Sequence, residues 1–181
     1  IHCFEASPIN FDILQKNIKK DNLAKICELN KLGVGHENYN SFINQTEESS
    51  SSTINEFNLD SKYFKKKLKI LNVKNASNFY KKIPIKIISL DNYIQEKKIK
   101  KIDILKIDTE GFEFNVIKGL KNHHQIIKLI YFEHHFDDMI KKNYKFKDIN
   151  QLLLDFGFKK IYKSKMYFRK SFEYIYENLA I

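Results

Sequence analysis

Apolar and polar positions alternate between two periods along the chain. Residues 1–4 are apolar and extended, and end at Glu5. Ser7 and Pro8 then read as the N-cap and first position of a helix. Phe11, Leu14 and Ile18 carry it to about Lys20 at three- and four-residue spacing. Residues 26–32 form a second short strand candidate, and Gly33, Val34 and Gly35 read as a turn. Residues 83–90 predict a strand, followed by a helix capped by Asp91 and running to about Lys97. The strand Ile102–Ile107 leads through Asp108 into a helix marked by Phe112, Val116, Ile117 and Leu120. Residues 126–132 are almost continuously apolar, as expected of a strand covered on both faces. Asp148, with Gln151 as capping-box partner, opens a helix whose inner stripe is Ile149, Leu152, Leu153 and Phe156 and whose stop is Gly157. Residues 158–163 and 172–176 close the chain as two strands with no helix between them, hence an antiparallel pair. Strands alternating with helices predict an α/β fold of the doubly wound type, a mostly parallel sheet with an antiparallel C-terminal pair. With 181 residues, the whole chain is expected to be one domain.

Two stretches resist this pattern. Residues 37–61 are polar, rich in Asn and Ser, and aperiodic, and are expected to be a long functional loop. Residues 64–80 carry no clear period. Within the polar loop Ser49, Ser50, Ser51 and Ser52, and near the C-terminus Met166, Tyr167, Phe168 and Arg169, are acceptor-contact candidates by position alone. The chain opens on Ile1 inside a strand with no basic apolar leader, and reads as a piece with sequence upstream. No run of eighteen apolar residues is present, so no membrane span is expected. Cys3 and Cys27 lack any paired spacing and read as reduced thiols of a cytoplasmic protein. The formal charge of +10 invites a nucleic-acid partner, but the lysines are scattered and Arg169 is the sole arginine. A solvated basic surface is the better account, and nucleic acid is disfavoured as a partner.

In open α/β sheets ligands bind beyond the carboxyl ends of the strands. Three strands here end in acid, at Glu5, Asp108 and Glu133. A carboxylate such as Glu5 can accept both hydrogen bonds of a ribose diol; it also suits a helix N-terminus. The segment Asp108, Thr109, Glu110, Gly111, Phe112, Glu113 is more specific, since three acids surround a glycine at the strand-to-helix turn. Lys106 and Asp108 share one side of their strand. Glu133 and His135 share one face of an extended chain, with His134 on the other, and a histidine beside a carboxylate suits a general base. His123 and His124 are given no role. No closed set of metal ligands, nucleophile elbow or phosphate-cradling glycine loop occurs.

These residues resemble the FkbM family of S-adenosylmethionine-dependent methyltransferases. The likeness lies in Phe4–Glu5–Ala6–Ser7–Pro8 and in Leu105–Lys106–Ile107–Asp108–Thr109–Glu110–Gly111–Phe112–Glu113, followed by Val116–Ile117–Lys118–Gly119. It extends to Ile88–Ser89–Leu90–Asp91–Asn92–Tyr93–Ile94, to Ile130–Tyr131–Phe132–Glu133 and to Asn30–Lys31–Leu32–Gly33. The resemblance implies a Rossmann-like class I methyltransferase fold, here lacking the first strand and glycine-rich loop, and S-adenosyl-L-methionine as methyl donor. It implies O-methylation of a sugar or small-metabolite hydroxyl, with a small-molecule or glycan acceptor. By position, Glu5 would hold the cofactor ribose, Asn30 and Leu32 would flank the adenine, and Asp108 would sit near the sulfonium and the acceptor. Glu110 would help shape the site. Asp108 and then His135 are the candidate bases. The competing readings are a non-catalytic domain and an RNA-binding protein on the same fold.

Overall fold

The structure is a computed structural model that describes residues 1–48, 51–75, 78–167 and 170–181. Strand β1 (His2–Phe4) pairs in parallel with β2 (Glu28–Asn30), and the helix α1 (Pro8–Lys20) connects them. The start of α1 follows from local chemistry: the Ser7 hydroxyl accepts the Asn10 N–H at 3.2 Å, and Pro8 fills the position where no N–H is needed.

Residues 33–35, expected to be a turn, form instead a short strand, β3 (Gly33–Gly35), parallel to β5 (Tyr80–Ser89). Its glycines serve close packing rather than chain reversal. A Cβ on Gly35 would stand 2.8 Å from a methyl of Ile87, and the Gly35 carbonyl oxygen lies 2.3 Å from where a Cβ on Gly119 would be. Gly119 has an ordinary φ of −76°, so space alone demands glycine there. Gly119→Ala should cost about 1–3 kcal/mol through overpacking, read as a lower denaturation midpoint at unchanged m-value.

The polar stretch 37–61 is corrected as well. It contains β4 (Tyr39–Thr46), which runs antiparallel to β5 with Phe42 opposite Pro84. Its buried end is polar: Asn44, Gln45 and Thr46 are all buried. They are accommodated because their side chains are bonded, Asn44 to the Asn55 carbonyl at 2.7 Å and Gln45 to the Ser7 hydroxyl and the Thr46 carbonyl. A strand satisfied this way carries no apolar alternation. The ambiguous stretch after it holds α2 (Lys62–Ile70), capped by the Ser61 hydroxyl. Its Phe64 packs with Phe57, Phe79, Met139 and Ile140 in a small second core.

The third sheet has the order β6-β7-β9-β8, built from β6 (Ile102–Ile107), β7 (Ile127–His135), β8 (Phe158–Lys165) and β9 (Ser171–Asn178). Helices α3 (Leu90–Lys97), α4 (Glu113–Lys118) and α5 (Phe146–Asp155) contribute to the main core, where Ile117, Ile130, Phe132, Ile149, Leu153 and Tyr176 are all fully buried. The β8–β9 pair is antiparallel, as expected. Over the described residues, however, the β1–β2, β3–β5 and β6–β7 pairings are parallel and β4–β5, β7–β9 and β8–β9 are antiparallel. The architecture is mixed α/β rather than mostly parallel.

Two helix starts differ from expectation. Ser89, not Asp91, caps α3, accepting the Asn92 N–H at 3.2 Å. Asp91 is spent on the loop after α4, accepting the Asn122 N–H at 3.0 Å and lying 3.0 Å from Nδ1 of His123. At α5 the N-cap is Lys145; Asp148 sits inside the first turn and accepts the Lys145 N–H at 2.7 Å. Gln151 bonds to Asp155, so it is not a capping partner. Gly157 does end α5, with a φ of +84° that favours glycine. Among the described residues, no helix is long and apolar enough to cross a membrane.

Candidate functional site

The carboxyl ends of β1, β6 and β7 converge. Glu5, Asp108 and Glu133, each just after or at the end of its strand, line one cleft of about 410 Å³ together with Glu110, Leu32 and Asn10. That volume falls within the range of small-molecule sites. No lysine or arginine lines the cleft among the described residues, although the chain as a whole is strongly basic.

The turn from β6 into α4 is conformationally unusual. Glu110 has a φ of +48° and Gly111 a φ of +94°. A left-handed backbone is free for glycine but costs a glutamate about 1–2 kcal/mol. The turn is held from both sides. The Thr53 hydroxyl donates to the Glu110 carbonyl at 2.8 Å and the Asn55 amide donates to the Gly111 carbonyl at 2.6 Å, both from the segment after β4. From within, the buried Glu113 carboxylate accepts the Gly111 N–H at 2.8 Å and the Thr109 hydroxyl at 3.1 Å. The Tyr144 hydroxyl lies 2.7 Å from the other Glu113 oxygen and 2.9 Å from the Gly111 carbonyl, so its one proton is shared between them. Burial, with the Glu113 charge beside it, pushes the Tyr144 phenol well above its ordinary pKa, so it remains a donor. The effect is to fix the Glu110 side chain, 17% exposed, at the cleft wall.

His135 completes that wall. Its Nε2 lies 3.3 Å from Glu133 and 3.5 Å from Glu110, while its Nδ1 lies 3.6 Å from Asp137. Burial pushes the Glu110 carboxyl up to about 7; the His135 cation pulls it down, and Asp108, Glu133 and Glu113 push it further up. For His135, burial alone would lower the pKa, but Asp137 and the charges of Glu110 and Glu133 outweigh it and the imidazole is raised. Asp137 is held below the usual carboxylate range: burial opposes this, but His135 and the Met139 N–H prevail. His134 lies on the opposite face, packed against Tyr144 and Phe146, and burial drives its pKa down to about 4. It is a core residue.

The residues picked from the sequence therefore divide. Glu5, Leu32, Asp108 and Glu110 meet in the cleft, and His135 stands behind Glu110. Asp108 is 46% exposed on its side chain and pairs with Lys106 at 3.3 Å, on the same strand side as expected. Glu5 accepts the Ser7 N–H at 2.7 Å, and burial raises its pKa. Asn30 stands apart: its amide donates to the Tyr93 hydroxyl at 3.0 Å and the Cys3 carbonyl at 3.2 Å, tying β2 to α3 and β1, and it does not line the cleft. Ser49, Ser50, Phe168 and Arg169, named above as acceptor contacts, lie outside the described residues. The sequence reading missed Asn10, Tyr144 and Asp137, and placed Glu113 in the acidic segment without a role of its own. Asp137 had a signal, since it continues the period-two face of Glu133 and His135. Asn10 and Tyr144 had none.

Among the residues that line the cleft, Oδ1 of Asn10 is a buried acceptor without a hydrogen-bond partner, and Oε1 of Glu133 has only the ion-pair contact with Nε2 of His135 at 3.3 Å; unsatisfied buried acceptors are costly. A ligand offering hydroxyl or ammonium donors and positive charge fits this lining. One carrying phosphates does not, because four carboxylates would repel it. Comparison with curated proteins and with solved structures returned no match. The family model described as "Methyltransferase FkbM domain" matches residues 1–160. With that match covering most of its length, the chain belongs to the FkbM methyltransferase domain family.

Proposed function

We propose that the protein is an S-adenosylmethionine-dependent methyltransferase of Rossmann-like class I fold that acts on a hydroxyl of a sugar or small metabolite. The observation that carries this reading is the purely acidic cleft formed by Glu5, Asp108, Glu110 and Glu133. S-adenosylmethionine bears a sulfonium, an ammonium and a single carboxylate, for a net positive charge, and no phosphate, so its sulfonium and hydroxyl donors complement this lining. When bound, it supplies an activated methyl group.

The roles of the chain's own groups follow from their positions. Glu5 has one carboxylate oxygen engaged by the Ser7 N–H, and the pair of oxygens with Asn10 receives the ribose hydroxyls. Leu32 covers an adenine face. Asp108 and Glu133 hold positive charge at the centre of the cleft. Glu110 and His135 handle the proton of the attacking hydroxyl, because Glu110 reaches the cleft and the imidazole lies directly behind it. The rest of catalysis is alignment of acceptor and methyl.

Calorimetric titration of the full-length protein tests the cofactor assignment. Glu5→Ala should weaken S-adenosylmethionine binding by about tenfold to a hundredfold, the loss of one to two charge-assisted hydrogen bonds, and should cost about 1–3 kcal/mol of stability because the Ser7 N–H loses its acceptor. Equal affinity of variant and wild type would remove Glu5 from the site. Absence of binding to the wild type at millimolar ligand would favour a non-catalytic domain.

A further inference from the structure

A second cleft, of about 310 Å³, opens beneath α2, and Glu110 lines both clefts. Its floor is Glu110, His135 and Asp137; Tyr63 and Ile70 of α2 form one wall. The two spaces thus share a partition made of Glu110 with His135 behind it. Helix α2 is fixed above this floor at its start, where the Ser61 hydroxyl donates to Asp138 at 2.6 Å, and by Phe64 packed on Met139 and Ile140. The outer end is closed by an ion pair of 2.5 Å between Lys67 and Glu48.

We propose that this second cleft is the methyl-acceptor subsite, and that it takes an uncharged molecule offering several hydroxyls and one apolar face. The assignment rests on the methyltransferase reading above. The two carboxylates of the floor accept hydrogen bonds from hydroxyl groups and repel carboxylates and phosphates. Of the two lysines that line the cleft, Lys67 is already paired with Glu48, and Lys66 is exposed to solvent, where its charge is screened. Tyr63 and the apolar Ile70, 72% exposed, give the acceptor a surface to lie against. The acceptor hydroxyl then reaches the cofactor cleft past Glu110 with Nε2 of His135 within reach of its proton. Asp137 acts as a positioning residue: set at Nδ1, with its side chain only 7% exposed, it holds the imidazole so that Nε2 faces the partition.

The test uses full-length protein with isotope-labelled histidine and tyrosine rings, and three probe panels: uncharged methyl hexosides and pentosides, the corresponding uronates, and the amino sugars. The uncharged panel should shift the His135 and Tyr63 resonances in a saturable way, and Tyr63→Ala should weaken that binding about tenfold. Ile70→Ser, at an exposed side chain that cannot disturb the core, should weaken it too. Neither variant should alter S-adenosylhomocysteine affinity by more than about twofold. Asp137→Asn should shift the pH midpoint of the His135 resonance downward without changing cofactor affinity; an unmoved midpoint removes its positioning role. If uronates or amino sugars bind and the uncharged panel does not, the charge argument is wrong. If no panel moves His135 or Tyr63 while S-adenosylhomocysteine binds, the subsite assignment fails alone. If the uncharged panel binds and S-adenosylhomocysteine does not, the subsite stands and the methyltransferase reading falls.

Discussion

Replacing Glu113 with alanine is expected to destabilise the protein by about 3–5 kcal/mol, the range for breaking a buried, charged hydrogen-bond network. Glu113 is 1% exposed. Its loss leaves the Gly111 N–H and the Thr109 hydroxyl short of an acceptor, and the Tyr144 hydroxyl with the Gly111 carbonyl alone; each unsatisfied buried donor costs about 1–3 kcal/mol. It also opens a void beside Phe114 and Tyr144, which stack with ring centres 5.2 Å apart. Glu113→Gln should recover part of the stability, because an amide oxygen still accepts the Gly111 N–H. Tyr144→Phe should cost less than Glu113→Ala, since one shared proton is lost and the carboxylate keeps two donors. Urea denaturation of the three variants checks the order. Equal stability of Glu113→Ala and wild type would mean that the turn holds itself without the carboxylate.

Glu110→Gln is expected to move stability and activity in opposite directions. The Glu110 carboxyl has its pKa raised from 4.5 to about 7. Between these values the folded protein keeps a proton that the unfolded chain has released. Stability attributable to this group therefore falls as pH rises from about 4.5 to about 7 and then levels off. At pH 8 the buried charge costs up to about 3 kcal/mol, and glutamine of the same shape removes that cost. The variant should melt higher than wild type at pH 8, with the difference vanishing near pH 4. His135 runs the same way. Its raised pKa contributes stability that is present below its unfolded value near 6.5 and lost as pH rises through the folded value. Turnover should fall by about a hundredfold or more, a typical share for a proton-handling group. A variant with unchanged turnover and raised stability would leave Glu110 a mere wall of the cleft.

Much of this site is legible in the sequence because strand ends and helix starts are written in short-range chemistry. Glu5, Asp108 and Glu133 each terminate an apolar extended run, and the topology of an α/β sheet brings such ends to one edge. Ser7–Pro8 and Gly157 marked helix boundaries for equally local reasons. What failed depended on distant partners. Gly33 and Gly35 carried no sign that β5 and Gly119 would press against them. Asn44, Gln45 and Thr46 looked like loop because polarity is the usual mark of solvent, and here their burial is made tolerable by bonds to residues 7 and 55. The side-chain orientation of Asn30 was likewise set from outside, by Tyr93 more than sixty positions away. The parallel content of the sheet was overestimated for the same cause: β4 was invisible to an apolar pattern, and the antiparallel neighbour of β7 is β9, from the far end of the chain.

The bonds from Thr53 and Asn55 to the Glu110 turn have a bearing on how such a protein can change its substrate. The same excursion of chain that supplies these two clamps, running from β4 through α2, also supplies the wall of the second cleft. On the acceptor-subsite proposal, recognition and the grip on the Glu110 turn are built into one transplantable cassette. Exchanging it between relatives would carry the acceptor wall across, but a donor segment without hydroxyl and amide groups at these two places would release the left-handed turn. New specificity in this scaffold is bounded by the need to keep that grip, so diversification is expected in the helix facing the acceptor and not in the two residues that hold the turn.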